Sequence, residues 1–130
     1  MRDFRELKVW CKAHELTLDV YRISLQFPRQ EIYGLISQAR RAAVSIEANI
    51  AEGAGKESRS DFARFLQIAL GSASEVECHL LIARDLGYLP VKEHAAVSAK
   101  VVEVKKMLTG FLRYLHGNDK LTSRRGFPDG

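Results

Sequence analysis

Ile32-Tyr33-Gly34-Leu35-Ile36-Ser37-Gln38-Ala39-Arg40-Arg41-Ala42-Ala43-Val44-Ser45-Ile46-Glu47-Ala48-Asn49-Ile50-Ala51-Glu52-Gly53 is the stretch on which the fold turns. Ile32, Ile36, Ala39, Ala43, Ile46, Ile50 and Gly53 recur at alternating steps of four and three, the seam spacing of a left-handed helix bundle. Its other sides carry Ser37, Gln38, Ala42, Ser45, Ala48, Asn49 and Ala51, with only Arg40, Arg41, Glu47 and Glu52 charged. A helix facing only water carries more Lys and Glu. One long helix with a core stripe and a second, low-charge packing face is expected here, closed by Gly53-Ala54-Gly55.

Working outward, three further helices have the same grammar. The first is expected to start at Asp3, with Glu6 at capping-box spacing. Its seam is read as Leu7, Cys11, His14, Leu18, Tyr21 and Leu25, with Trp10, Ala13, Thr17 and Val20 on an adjoining stripe, and Phe27-Pro28 stops it. The third starts near Ser58 or Ser60, runs through Phe62, Leu66, Ala69, Ala73, Val76, Leu80 and Ala83, and ends in a left-handed cap at Gly87. Pro90 opens the fourth, whose seam is Val97, Val101, Val104, Leu108, Phe111 and Leu115. Helices of about 22 to 27 residues joined by short connections must run antiparallel. The expected fold is all-α: an antiparallel up-down-up-down left-handed four-helix bundle over residues 1–117, followed by a flexible C-terminal tail over 118–130.

At 130 residues the chain fits one domain with a self-sufficient core. No uninterrupted apolar run reaches the roughly 18 residues of a membrane span, and charges at the start replace the apolar region of an export signal. A cytoplasmic protein without membrane contact is expected, with Cys11 and Cys78 as reduced, partly buried thiols. Residues 1–99 hold 13 basic and 13 acidic side chains, so the net charge of +4 lies wholly in residues 100–130. A basic C-terminal helix and tail can approach a polyanion; a solvated helix face is the plainer reading.

Catalytic and metal motifs are missing. A di-iron bundle needs Glu-x-x-His pairs, and none occurs. Cys11-x-x-His14 and Cys78-His79 resemble zinc ligands, but an axial offset of roughly 15 Å between parallel helices separates them. Core packing is expected for Cys11 and His14. No serine sits in a nucleophile elbow, and Gly53-Ala54-Gly55-Lys56 lacks the spacing of a phosphate loop. No enzyme, cofactor or metal is expected.

Ser37, Arg41, Ser45, Asn49 and Glu52 share one side of the second helix. Phe65-Leu66-Gln67-Ile68-Ala69-Leu70-Gly71-Ser72-Ala73-Ser74 on the third has no charge on any side. An oligomer interface is therefore expected at Ser37, Arg41, Ser45, Ala48, Asn49, Glu52, Gly71, Ser72 and Glu75. In one reading Arg41, Asn49, Glu52 and Glu75 form a hydrogen-bonded network inside or between subunits, fixing register; in another they line a ligand cavity.

The phrases Phe4-x-x-Leu7-x-Val9-Trp10, Phe27-Pro28-x-x-Glu31-x-Tyr33-Gly34-Leu35 and Ser37-Gln38-x-Arg40-Arg41-Ala42-Ala43-x-Ser45-Ile46-x-x-Asn49-Ile50-Ala51-Glu52-Gly53 form an ordered set. Phe62-x-x-Phe65-Leu66-x-x-Ala69-x-Gly71-Ser72-x-x-Glu75-x-Glu77 and Leu86-Gly87-Tyr88-Leu89 continue it. Together, over about residues 4–115, they resemble the bacterial four-helix-bundle family of 23S rRNA intervening-sequence proteins. The resemblance implies a homopentamer, and a reading frame sometimes found inside large-subunit ribosomal RNA genes. It also implies a distant kinship with the basic accessory variability protein of diversity-generating retroelements. It supplies no catalytic residue.

A non-enzymatic oligomer that binds RNA or a ribonucleoprotein is the leading expectation. Phosphates would be met by Arg40, Arg41, Lys56, Arg59 and Arg64, or by Lys105, Lys106, Arg113 and the tail. The alternatives are a scaffold that recruits a polymerase or ribosomal partner without nucleic-acid contact, and a small-molecule or metal sensor.

Overall fold

The computed structural model describes residues 3–117. Four helices account for most of them: α1 Lys8–Ser24, α2 Leu35–Ala54, α3 Arg59–Asp85 and α4 Val91–Leu115, with no strand among the described residues. Side-chain pairs fix their directions. Thr17 Oγ1 donates to the Ala43 carbonyl at 3.2 Å while His14, one turn earlier, meets Glu47 at 3.0 Å, so α1 and α2 are antiparallel. Ser45–Ser72 relates α2 to α3, Glu77–Lys105 relates α3 to α4, and Asp19–Lys100 closes α4 back on α1. This is the expected antiparallel four-helix bundle. The tail expected at 118–130 lies outside the described residues.

The turns explain several of the motif residues. Gly34 precedes α2, and a Cβ there would lie 2.6 Å from Glu31 Oε1, the atom that accepts the Leu35 amide at 3.1 Å. Glu31 thus caps α2, and its other oxygen takes the Tyr88 hydroxyl at 3.1 Å, tying the α1–α2 turn to the α3–α4 turn. That hydrogen bond to a carboxylate holds the Tyr88 hydroxyl above its ordinary pKa. Ser58 Oγ caps α3 by accepting the Asp61 amide at 3.0 Å, as its spacing predicts. Gly87 takes φ 78°, the left-handed conformation that turns the chain after α3, and Leu89 returns to the core. Pro90 sits one position earlier than expected, as the residue preceding α4.

The seams of α3 and α4 are buried at every expected position, and α2 differs only at Ile32. Ile32 precedes the helix, which begins at Leu35 after a short 3-10 turn, and is 51% exposed. The end of α2 also differs, because Gly53 and Ala54 are helical and Gly55 stays right-handed. The larger correction concerns α1. Asp3 caps a 3-10 turn, Phe4–Glu6, rather than the helix, and extended Leu7 separates the two. The buried face is Val9, Ala13, Leu16, Thr17, Val20, Ile23 and Ser24. Leu18 is 45% and Leu25 77% exposed, with Cys11 and Tyr21 also outside. Val9, Ala13, Leu16, Val20, Ile23 and Phe27 repeat the same four-three spacing, so periodicity alone did not choose between the two stripes.

α3 has the length and mean hydropathy of a membrane-crossing helix. Phe62, Leu66, Ala69, Ala73, Val76, Leu80 and Ala83 all face the bundle core instead. Its apolarity comes from that stripe together with an outer flank of Ile68, Gly71, Glu75, Cys78 and Ile82, on which Glu75 is the single charge.

Candidate functional site

Seven of the eight basic side chains considered for polyanion contact fall into three groups, and the eighth, Lys105, is held by Glu77. Arg40 donates to Ser24 Oγ at 2.9 Å and to the Tyr21 carbonyl at 3.3 Å, and lies 4.7 Å over the Tyr21 ring. Arg59 donates to the Tyr114 and Leu115 carbonyls at 2.7 and 3.3 Å, with its guanidinium 4.9 Å from the Tyr114 ring. Each closes the carboxyl end of a neighbouring helix, where carbonyls lack partners and a cation is favoured. These two bind the chain to itself. Lys56 pairs with Glu52 at 3.3 Å, and it and Arg64 flank the Phe65 ring at 5.4 and 4.5 Å. Arg41, Lys106 and Arg113 are exposed, and among the described residues they have no ion-pair partner.

Two of those three meet in one place. A cleft of about 400 Å³ between α3 and α4 is lined by Lys105, Lys106, Thr109, Gly110, Arg113, Val102 and Glu77. Lys105 Nζ is held by Glu77 Oε1 at 2.9 Å, and Thr109 Oγ1 donates to the Lys105 carbonyl at 2.8 Å. Lys106, Gly110 and Arg113 follow at steps of four and three, so they share one face of α4. Glu77, Thr109 and Gly110 were absent from the sequence-based set. A glycine inside a periodic helix was the one available signal for Gly110.

The α2–α3 flank has a different chemistry. Ser45 and Ser72 hydroxyls pair at 2.8 Å, and Asn49 Nδ2 donates to the Ser45 carbonyl and hydroxyl at 2.8 and 3.1 Å. Ser72 is thus a buried contact between α2 and α3 of one chain. The network expected among Arg41, Asn49, Glu52 and Glu75 does not form within the chain: Asn49 turns to Ser45, Glu52 to Lys56, and Arg41 and Glu75 stay exposed. Outside this seam α3 presents Ile68, Gly71, Glu75, Cys78 and Ile82, again at four-three spacing and with a single charge. A methyl added at Gly71 would meet nothing within 4 Å. Ser37 is half-buried on α2; Ala48 is exposed and lines a groove of about 270 Å³ with Phe4, Trp10, Val44, Glu47 and Ala51. One heptad beyond Ser72, both ring nitrogens of His79 are buried without a hydrogen-bond partner.

Cys11 and Cys78 are free and exposed, which corrects the expectation of partly buried thiols and of core packing for Cys11; Cys11 Sγ donates to the Arg5 carbonyl at 3.4 Å. His14 is half-buried, stacked on Trp10 with centroids 4.9 Å apart. Among the described residues no group of three or more His, Cys, Asp or Glu is placed to hold a metal.

The fold defines an all-helical, four-helix-bundle protein with one basic flank cleft and one nearly neutral flank. The chain belongs to the 23S rRNA-intervening sequence protein family, whose profile matches residues 5–110. Its fold is similar to the crystal structure of a protein of unknown function from the S23 ribosomal protein family of Bacteroides thetaiotaomicron VPI-5482. The two chains are 27% identical with a TM-score of 0.73, the match covering 81% of this chain and 98% of the other. Comparison with curated proteins returns no match.

Proposed function

We propose that this protein is a non-enzymatic, cytoplasmic homo-oligomer, a pentamer by the resemblance of its motifs, that binds RNA or a ribonucleoprotein through its basic surfaces. The observation that carries the RNA reading is the α3–α4 cleft, where Lys106 and Arg113 stand exposed beside the Lys105–Glu77 pair without carboxylates of their own among the described residues. The family's name, which refers to sequences intervening in 23S rRNA, agrees with it. Assembly rests on the other flank. The stripe of Ile68, Gly71, Glu75, Cys78 and Ile82 is too poor in charge for a surface meant for water alone, and Gly71 leaves room for another backbone. A ring would repeat the cleft several times and raise affinity by avidity.

Gly71→Arg tests the assembly. A bulky cation placed in a close contact should reduce the particle to the 14.6 kDa chain in light scattering while the helical content is kept. A wild-type protein that already scatters as a single chain at micromolar concentration would refute the oligomer. RNA crosslinked to the protein in cells, recovered and sequenced, tests the ligand. Recovery of a protein partner that resists nuclease, with no RNA, would favour the scaffold instead.

A further inference from the structure

Gly110 lies in the interior of α4, where glycine destabilises a helix relative to alanine. Its backbone is not left-handed, and a Cβ built on it would meet nothing within 4 Å. Neither a turn nor packing within the chain requires glycine here. The bare backbone instead lines the basic cleft, with Lys106 one turn before it and Arg113 one turn after it on the same face. Glycine is the residue that lets a ligand come against main chain.

The cleft is also polarised. Lys106 and Arg113, seven residues and roughly 10 Å apart along the axis, form its cationic side. The α3 wall ends in Glu77, whose carboxylate repels a phosphate and accepts from a hydroxyl or amine. A recess of about 400 Å³ matches one compact organic unit. A duplex keeps its nucleotides paired and stacked, so seating one of them whole in a recess of this size would first cost its unpairing and unstacking.

We propose that this cleft seats one nucleotide of single-stranded RNA, with its phosphate on Gly110 between Lys106 and Arg113 and its ribose 2′-hydroxyl donating to Glu77. This rests on the RNA-binding reading above and adds the strandedness, the sugar and the contact residues. Lys105 stays with Glu77 and orients the carboxylate.

The test is fluorescence anisotropy of the full chain with a labelled 12-nucleotide RNA, the DNA strand of equal sequence, and an RNA hairpin duplex, over a range of salt. Wild type should bind single-stranded RNA at least fivefold tighter than either competitor. Gly110→Leu should weaken that binding at least fivefold with no loss of helicity, whereas Gly110→Ala should melt higher than wild type. Replacing Lys106 and Arg113 together by Gln should flatten the salt slope by about 0.7, as expected for one phosphate's worth of counterions on a single strand. Tight RNA binding that Gly110→Leu leaves intact would place RNA elsewhere, overturning this site while sparing the RNA reading. Equal affinity for RNA and DNA would overturn the role of Glu77. Absence of binding to any RNA would overturn the function itself.

Discussion

The two long flanks of the bundle are closed by opposite means. Between α1 and α4 the outer seam is a run of charged and polar pairs: Gln26 to Glu93 at 2.7 Å, Lys100 to Asp19, and Lys12 to Glu103 at 3.6 Å. Between α2 and α3 it is the Ser45–Ser72 hydroxyl pair, with Gly53 letting the helices touch. Long charged side chains keep their heads in water while covering the seam, so the first flank is finished as a surface. The second brings backbones close and leaves small neutral residues outside. That difference in chemistry, on two seams of the same fold, is the basis for proposing the second flank as the contact with another chain.

The sharpest way to break the comparison is at the tight seam. A Cβ at Gly53 would fall 2.8 Å from Phe62 Cδ1, 3.0 Å from Phe65 Cβ and 3.2 Å from the Phe62 carbonyl. The last two are not the ends of flexible side chains, so the helices must separate. Gly53→Ala should cost about 1–3 kcal/mol in spite of its better helix propensity. The same change at Gly71 or Gly110, where an added Cβ meets nothing within 4 Å, should not lower the stability of the chain. Thermal melts of the three variants decide it. An unaltered melting temperature for Gly53→Ala would mean that the α2–α3 contact is loose.

The bundle was legible because α2, α3 and α4 each carry a single apolar stripe: all thirteen seam positions expected on α3 and α4 are buried. α1 was not, because it carries two stripes at equivalent spacing, and Leu18, Tyr21 and Leu25 outweigh Ala13 and Thr17 in apolar surface. Only the partner helices select the stripe used, through contacts such as Thr17 to the Ala43 carbonyl. The candidate site was half legible. The charge surplus pointed to Lys105, Lys106 and Arg113, but no spacing rule shows that Arg40 and Arg59 are spent on helix ends more than fifteen residues away in sequence. Glu77 enters the cleft through the register of α3 against α4, which one-dimensional pattern does not carry.

His79 offers a smaller effect of opposite sign. Its ring nitrogens are buried and unpartnered on the stripe of α3 that holds Ser72. A buried polar group without a hydrogen bond costs free energy that an apolar replacement of similar volume recovers. His79→Leu should therefore raise stability by about 1 kcal/mol. Denaturant titration of wild type and variant at pH 7 measures this as a shift in midpoint at constant slope. A loss instead would mean that the imidazole finds a partner in solution, most simply across the interface proposed for this flank.

The charged flank gives the smallest and most condition-dependent prediction. Burial pushes the Asp19 carboxyl upward, and the hydrogen bonds from Lys100 and Arg22 outweigh it, so its pKa lies below the ordinary carboxylate value. Its stabilising contribution is complete above the unfolded-state value of about 3.9 and disappears as pH falls through the lower native one. The Lys100 side chain is 44% exposed and solvent screens the pair, so Asp19→Asn should cost only about 0.5 kcal/mol at pH 7. The gap between wild type and variant should hold steady from pH 7 down to pH 5, close below about pH 4, and shrink in high salt. Neither hydroxyl of the Ser45–Ser72 pair titrates, so Ser72→Ala should show a deficit relative to wild type that neither acid nor salt changes. If acid erased both deficits alike, the two flanks would not be held by different forces, and the contrast between them would fall.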